Sequence, residues 1–336
     1  MSEPTLENIE GIGKGTAEKL IKEGITDPSQ ISIMRPEELA NLLGCSRKKA
    51  AKMINSAKAI APQIVLSTAQ EILEYRDKHI QYISTSSTKL DRLLGGGIPT
   101  GIITGLTGQF SSGKSQICHE AVVNCLADLK REVVWIQTES RTFVPQRLLE
   151  IAKAKGKEID LNKVLVVGEF MKKKDKDGNI VETPLIDTPV ALMRALKRVG
   201  YYIEHEGHDV GLIVIDSYSA PFRTFLSGRE MLPDRSRETG RQFGYFNELV
   251  AKHNIALLLT CQVMGNPVLH GQEAARKKFS IPYMVWGGHL LKHSVTYWLS
   301  LYQVSSTDNL WSATTFDCPL PRETVTFKID KSGIRD

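Results

Sequence analysis

The chain has 336 residues, more than a single domain usually holds, which predicts a large core accompanied by a smaller domain. Its content of 41% hydrophobic and 24% charged residues is typical of a globular protein, and no apolar run reaches the roughly 18 residues that span a bilayer. These values exclude a membrane-spanning chain, and we expect an intracellular protein with no membrane partner. A formal net charge of +5 permits a nucleic-acid partner without indicating one. The five cysteines are scattered and form no C-x-x-C pair, so we expect reduced core residues rather than a disulfide framework or a zinc site.

Residues 1–61 combine short helical patterns with glycine turns and contain no strand-like run. In "IEGIGKGTAEKLIKEGI" three glycines precede a predicted helix that starts near Thr16, and in "LLGCSRKKAAKMINSAKAI" Gly44 precedes a helix capped by Ser46. A glycine turn followed by a helix N-terminus presents N–H groups to a phosphate. The pattern is similar to the helix-hairpin-helix, a small DNA-contacting fold. A plain helical bundle or a protein-docking module is the alternative.

Residues 62–78 form a predicted linker between this domain and a core of residues 79–336. Pro62 marks the break, and "IVLSTA" has the composition of an extended segment that leads into a helix.

The stretch "GQFSSGKSQ" matches the phosphate-loop pattern of a glycine, four residues and Gly-Lys-Ser. Glycines let backbone N–H groups surround phosphates, Lys114 reaches the β- and γ-phosphate oxygens, and the Ser115 hydroxyl can ligate Mg²⁺. The flanking runs "GIITGLT" and "QICHEAVVNCLADL" predict the required order of strand, loop and helix. We therefore expect ATP and Mg²⁺ to bind here. The binding residues would be Gly108, Gln109, Phe110, Ser111, Ser112, Gly113, Lys114, Ser115 and Gln116.

Beyond the phosphate loop, the β-branched runs "VVWIQ", "VLVVGEF", "LIVID" and "IALLLTCQV" alternate with helical segments, which predicts a mostly parallel sheet covered on both faces. Three polar residues follow these runs, where open α/β sheets bind their ligands. We expect Asp216 to hold Mg²⁺ opposite Ser115, Glu139 to orient or deprotonate the attacking water, and Gln262 to sense the γ-phosphate. Singly, the carboxylates could be helix caps and Gln262 a loop amide. Together with the phosphate loop they predict ATP hydrolysis.

Residues 172–186, "KKKDKDGNIVETPLI", predict an exposed hairpin that turns at Asp177 and Gly178. Its lysine run is typical of a solvated loop, and no function is assigned to it.

With these motifs in place, the chain resembles the archaeal RadA recombinases, members of the RecA-type strand-exchange ATPases. The resemblance runs from the N-terminal hairpins through "STKLDRLLGGGI", the phosphate loop, "TFVPQR", "LIVIDS", "FRTFLSGRE", "CQV", "GGHLLKH" and "FDCPLP" to the terminal "FKIDKSGIRD". It implies an α/β fold with a RecA-like P-loop ATPase core and a mostly parallel sheet, preceded by a small all-α helix-hairpin-helix domain.

The resemblance also implies roles for residues outside the phosphate loop. Arg147 would stack on the adenine, and His293 would approach the γ-phosphate. Asp317 and Pro319, in the "DCP" segment, would cap the nucleotide of the next subunit. A helix-surface arginine and a satisfied core histidine are the alternatives for the first two. Head-to-tail contacts of this type join protomers into a helical filament or a ring.

Family filaments also use an F-x-x-A segment that adds a strand to the neighbour's sheet. The matching residues here run from Leu66 to Ala69, so leucine stands where the family has phenylalanine. A smaller anchor weakens the contact unless its pocket is smaller too. An ordinary linker is the alternative.

DNA contact in the family comes from two loops, here "FRTFLSGREMLPDRSRE" and "GNPVLHGQEAARKKFSIPYMVW". We expect both to lack regular structure and to place basic side chains along a single-strand phosphate track. These residues are Arg223, Arg229, Arg235 and Arg237 in the first loop, and Arg276, Lys277 and Lys278 in the second. Plain solvated charge is the alternative.

The leading hypothesis is a DNA-dependent ATPase that forms ATP-gated filaments on single-stranded DNA, pairs it with double-stranded DNA and exchanges strands in recombinational repair. Mediator proteins and a cytoplasmic, nucleoid-associated location go with it. A divergent paralogue that regulates another recombinase is the alternative, favoured by Leu66 and by "GREML" in place of the family's G-R-G-x-L. The set of Glu139, Asp216 and Gln262 argues against it. A protein motor or timing ring is disfavoured by the N-terminal hairpins and the basic loops.

Overall fold

The computed structural model describes residues 5–61, 66–139, 141–174, 180–182, 184–226, 228–265 and 283–336. They fold into two compact units, one ending at Tyr75 and the other beginning at Arg76. No helix in these ranges is long and apolar enough to cross a membrane.

The first unit is helical. After a 3₁₀ turn at Leu6–Asn8 it contains α1 (Lys14–Lys22), α2 (Pro28–Ser32), α3 (Pro36–Leu43), α4 (Arg47–Ile60) and the start of α5 (Ala69–His79). Leu20, Ile31 and Leu39 are fully buried in its core. The Ser46 hydroxyl caps α4, as predicted, by accepting a 3.3 Å hydrogen bond from the Lys49 amide. The predicted start of α1 is two residues late, because the chain enters the helix directly after Gly13.

The helices of the second unit after α5 are α6 (Thr88–Leu93), α7 (Lys114–Asn124), α8 (Pro145–Ala154), α9 (Pro189–Glu206), α10 (Ser219–Phe225), α11 (Leu232–His253) and α12 (Gly288–Ser294). Its strands are β1 (Tyr82–Ile83), β2 (Ile98–Pro99), β3 (Ile103–Gly108), β4 (Glu132–Gln137), β5 (Val164–Val167), β6 (Lys172–Lys174), β7 (Ile180–Glu182), β8 (Val210–Asp216), β9 (Ala256–Cys261), β10 (Val263–Gly265), β11 (Tyr283–Val285), β12 (Tyr297–Ser305), β13 (Leu310–Phe316), β14 (Thr324–Asp330) and β15 (Gly333–Arg335).

A nine-stranded sheet forms the centre of this unit, in the order β15-β14-β13-β12-β3-β9-β8-β4-β5. Strands β12, β3, β9, β8, β4 and β5 run parallel, and β13 to β15 extend the sheet antiparallel from β12. Along β4, Val133 and Trp135 enter the apolar layer under α7 and α8, whereas Val134 and Ile136 enter the layer under α9 and α11. This alternation arises because successive side chains of a strand point to opposite faces. The predicted α/β class with a mostly parallel sheet is confirmed.

The hairpin predicted within residues 172–186 is present as the antiparallel pair of β6 and β7. Its predicted turn at Asp177 and Gly178 lies outside the described residues.

The expectation that the first loop lacks regular structure is wrong. Helix α10 continues to Phe225, a 3₁₀ turn spans Arg229–Met231, and α11 begins at Leu232. Pro233 occupies the first turn of α11, where proline needs no amide partner. Phe243 and Phe246 further along α11 are buried in the core, so tertiary packing supports helix in a segment that looks like a charged loop.

Cys118, Cys125 and Cys261 are buried core residues, as expected. Cys45 and Cys318 are only half-buried, because each lies in a connection near the surface, and none of the five is paired with another.

Candidate active site

The phosphate loop joins β3 to the N-terminus of α7, the predicted order of strand, loop and helix. A Cβ on Gly108 would lie 2.4 Å from the Leu301 carbonyl oxygen and 2.4 Å from Ser112 Oγ, so the backbone packs too closely for any side chain. Gly113, with a φ of 92°, is in the left-handed region that glycine adopts without strain. The two motif glycines therefore shape the loop.

Lys114 lies against the loop interior. Its Nζ donates hydrogen bonds to the carbonyl oxygens of Gly108 (2.9 Å) and Gln109 (2.7 Å) and to Ser112 Oγ (3.2 Å). Burial lowers the pKa of Lys114, and the negative charges of Asp216 and Glu139 partly oppose this effect. A phosphate bound in the loop would stabilise the buried ammonium, so the arrangement fits an anionic ligand.

Ser115 and Asp216 meet as the sequence predicts. Ser115 Oγ donates to one carboxylate oxygen of Asp216 at 2.7 Å, and Thr260 Oγ1 donates to the other at 2.5 Å. Burial raises the pKa of Asp216, and these two hydrogen bonds work against that shift. A buried carboxylate beside a hydroxyl offers the hard oxygen ligands that Mg²⁺ prefers, and a cation would offset the desolvation of the charge. The residues present fit this metal.

Glu139 follows β4 and accepts a cluster of hydrogen bonds on a single oxygen. Its Oε1 accepts from Ser217 Oγ (2.9 Å), from Gln262 Nε2 (3.1 Å) and from Arg223 Nη2 (3.1 Å). Arg223 Nη1 also donates to Gln262 Oε1. The structure thus brings Glu139 and Gln262 together at the carboxyl ends of two parallel strands, β4 and β9, that are separated by β8.

Arg223, predicted to contact DNA, lies beside Glu139 in this structure, and its contact with DNA remains a prediction. It occupies the last turn of α10, which starts three residues after Asp216 and so runs along the same edge of the sheet. The sequence prediction assumed an extended loop at this point.

A cavity of about 380 Å³ surrounds these groups. It is lined by Phe110, Ser111, Ser112, Gly113, Lys114, Ser115, Gln116, Glu139, Thr142, Asp216, Ser217, Thr260, Gln262, Trp311 and Ile329. Five of these lining residues were not predicted from the sequence: Thr142, Ser217, Thr260, Trp311 and Ile329. Thr260 had a usable signal, since it is a hydroxyl near the end of an apolar strand, whereas nothing in the sequence relates β13 and β14 to a loop some two hundred positions earlier.

Arg147 is held by the turn between β14 and β15. Its guanidinium donates to the carbonyl oxygens of Asp330 (2.6 Å) and Lys331 (2.8 Å) and to Gln116 Oε1 (2.9 Å). The side chain is only 13% exposed, so the alternative of a free helix-surface arginine is wrong. Stacking on adenine remains a prediction.

His293, Asp317 and Pro319 lie apart from the cavity of their own chain, as far as the described residues define it. His293 Nδ1 is 3.5 Å from an Asp317 carboxylate oxygen, and Lys292 Nζ is 3.4 Å from the same oxygen. The His293 side chain is 62% exposed, which rules out the alternative of a core histidine. Action on a neighbouring subunit's nucleotide remains a prediction.

Leu66 is 92% exposed and Ala69 begins the exposed start of α5. An anchor for another chain must be accessible in this way, and the docking role remains a prediction.

The predicted DNA-contacting arginines differ in their surroundings. Arg235 lies over the Trp286 ring at 4.5 Å and donates to the Leu226 carbonyl oxygen, whereas Arg237 is largely exposed and pairs with Asp234 at 3.3 Å. Of the remaining predicted contacts, Arg229 has only its backbone described, and Arg276, Lys277 and Lys278 lie outside the described residues.

Fold and site together define a P-loop protein with a RecA-like core and a helical N-terminal domain. The family model described as Rad51 matches residues 76–336, and the model for the SAM-like helix-hairpin-helix tandem matches residues 3–59. The chain is 30% identical over 347 residues to the DNA repair and recombination protein RadA of Methanococcus maripaludis, an alignment that covers 98% of this chain and 99% of the relative. The chain therefore belongs to the Rad51 family, and its resemblance to the archaeal RadA recombinases is confirmed.

Proposed function

We propose that this Rad51-family protein is a DNA-dependent ATPase that assembles into ATP-gated filaments on single-stranded DNA, pairs them with homologous double-stranded DNA and exchanges strands in recombinational repair. The observation that carries the proposal is the convergence of the phosphate loop, the Ser115 and Asp216 pair, Glu139 and Gln262 on one cavity.

Each of these groups has a task in hydrolysis. The loop amides and Lys114 bind the phosphates of ATP, and Ser115 with Asp216 holds Mg²⁺. The metal, when bound, neutralises charge that develops on the phosphoryl oxygens. Glu139 orients a water toward the γ-phosphate and accepts its proton. Gln262 follows β9 and precedes the second DNA loop, so a change at the γ-phosphate can reach that loop through its amide.

Assembly uses surfaces outside the cavity. Asp317, Pro319 and His293 cap the ATP of the adjacent protomer, while Leu66 and Ala69 dock on its sheet. Such head-to-tail contacts produce an open helical filament where the rotation between protomers does not close, and a ring where it does. DNA and recombination mediators are the partners, at an intracellular, nucleoid-associated location.

The first test measures ATP hydrolysis with and without single-stranded DNA, together with electron microscopy of the same mixtures. We expect DNA to stimulate hydrolysis and helical filaments to form. Glu139→Gln should lower the turnover by about 100-fold or more, because loss of a positioned base costs a factor of about 10²–10⁴, and its ATP-dependent filaments should persist. Glu248→Gln, at an exposed position of α11, is the matched control. Hydrolysis unchanged by DNA, with no filaments, would contradict the proposal.

A second candidate is a paralogue that binds ATP and DNA but regulates another recombinase. The smaller Leu66 anchor and the mostly helical first DNA segment favour it. Added at substoichiometric amounts to a strand-exchanging relative, such a protein would change the relative's filament length without forming filaments alone.

A further inference from the structure

Arg223 bridges the two residues that follow strands β4 and β9. One arm of its guanidinium donates to Glu139 Oε1 at 3.1 Å, and the other donates to Gln262 Oε1. The planar fork of arginine suits this double contact, which a lysine could not reproduce. From these contacts we infer that Arg223 is a positioning residue that restrains Glu139 while no DNA is bound and releases it when the DNA segments rearrange, an inference that rests on the proposed function.

The restraint acts on the carboxylate oxygen itself. Oε1 of Glu139 accepts from Arg223, Gln262 and Ser217, more donors than the two lone pairs of one oxygen accommodate well. That oxygen has no lone pair left for a water molecule, whereas Oε2 accepts no hydrogen bond from the described residues, so the three donors restrain the orientation of the carboxylate rather than block both of its oxygens. Departure of Arg223 removes the one charged donor among the three, so the Glu139 carboxylate is held less tightly and can reorient toward a water molecule.

Arg223 itself is incompletely satisfied in this position. Its Nε is buried and has no hydrogen-bond partner among the described residues. Buried donors without partners are rare and destabilise the arrangement that contains them. Arg223 therefore has a hydrogen bond to gain when its surroundings rearrange, which leaves its contact to Glu139 open to exchange for another anion.

Contacts continue from Arg223 to the segments predicted to bind DNA. Three residues after Arg223, the Leu226 carbonyl oxygen accepts from Arg235, whose guanidinium lies 4.5 Å from the Trp286 ring. The Trp286 amide donates in turn to the Gln262 carbonyl oxygen at 3.0 Å. A closed set of contacts thus joins Glu139 to the first segment, to Trp286 at the end of the second segment and to Gln262, three residues before the second segment begins. DNA that displaces any member loosens the hold on the carboxylate.

Two substitutions separate restraint from DNA affinity. Arg223→Ala should raise the ratio of DNA-free to DNA-saturated ATP turnover about fivefold, the factor that corresponds to an interaction of about 1 kcal/mol. Arg223→Lys retains the charge but not the fork, so it should raise DNA-free turnover while keeping the oligonucleotide affinity of the wild type. Arg241→Ala, an exposed arginine of α11 paired with Glu238, is the control and should match the wild type in all three measurements.

Hydrogen exchange of the nucleotide-free protein gives a readout that needs no hydrolysis. The amides of residues 138, 139 and 141–144 should exchange faster in Arg223→Ala than in the wild type, with Arg223→Lys between them and Arg241→Ala unchanged. Equal exchange in all four proteins would overturn the inference, as would a DNA-free turnover that falls together with the DNA-saturated turnover. If no protein hydrolyses ATP but exchange is faster in Arg223→Ala, the proposed function fails while the restraint stands.

Discussion

The hydrogen bond from Thr260 to Asp216 offers a sharp test of the site's electrostatics. Thr260 and Asp216 are almost completely buried, and Thr260 Oγ1 donates to the carboxylate at 2.5 Å. Thr260→Val removes the donor and keeps nearly the same shape. A hydrogen bond to a charged group contributes about 1.5–3 kcal/mol, so we expect a loss of about 2 kcal/mol in the free energy of unfolding near pH 7. For a unit of this size that lowers the Tm by about 4–8 °C.

A matched control lies on the adjacent strand. Thr104 on β3 is equally buried, but its hydroxyl has no hydrogen-bond partner within the described part of the chain. Thr104→Val removes a buried, unsatisfied hydroxyl and should leave the Tm unchanged or raise it slightly. Thermal unfolding of the two variants and the wild type, followed by circular dichroism, makes the comparison.

The pH dependence of the stability lost in Thr260→Val follows from the direction in which the substitution shifts the pKa of Asp216. Burial raises the pKa of Asp216, and the bond from Thr260 lowers it, so Thr260→Val should raise it further. The folded variant then binds a proton more readily than the folded wild type. Relative to the wild type, the loss of stability in Thr260→Val is fully present above the pKa values that Asp216 has in the two folded proteins. The loss shrinks as the pH falls through these two values. The prediction is refuted if Thr104→Val lowers the free energy of unfolding as much as Thr260→Val does. It is also refuted if the difference in this free energy between the two variants does not narrow in acid.

Two further predictions concern Gly108 of the phosphate loop and Asp336. Gly108→Ala places a Cβ 2.4 Å from the Leu301 carbonyl oxygen. It should cost about 1–3 kcal/mol and abolish ATP-induced thermal stabilisation, whereas Gly244→Ala, in open space on α11, should stabilise by up to about 1 kcal/mol. The Asp336 carboxylate caps α6 by accepting hydrogen bonds from the amides of Thr88 (3.3 Å) and Lys89 (3.2 Å), and it also accepts from Ser87 Oγ at 2.6 Å. Hydrogen bonds from Ser87, Thr88 and Lys89 lower the pKa of Asp336 to about 2. Asp336→Asn should lower the free energy of unfolding by about 1 kcal/mol at pH 7, and its difference from the wild type should vanish as the pH falls through about 2. If urea unfolding shows the same difference at every pH, this cap is excluded.

Local pattern was enough to predict the centre of the site. The phosphate loop is a contiguous motif, and its flanks carry the periods of a strand and a helix. Asp216, Glu139 and Gln262 could be grouped because parallel strands bring their carboxyl ends to one edge of a sheet. Their common location was predictable without knowledge of the strand order.

Other features depend on long-range packing. Helix α11 begins at Leu232 because buried side chains later in that helix hold the charged first turns in register. Trp311 and Ile329 reach the cavity only because β13 and β14 continue the sheet beyond β12, next to the loop that leaves β3. Sequence periodicity describes which face of an element is apolar, but not which element covers it.

The sequence by itself determined the nucleotide-binding loop, the polar residues at the strand ends and the α/β class, since each is encoded by neighbouring residues. Only the tertiary structure decided what surrounds Glu139. Arg223 is 84 positions away from it and looks like one of several loop arginines, until α10 folds along the sheet edge and directs its guanidinium to the carboxylate. Charge and exposure at such a position are properties of the packed elements rather than of the local sequence.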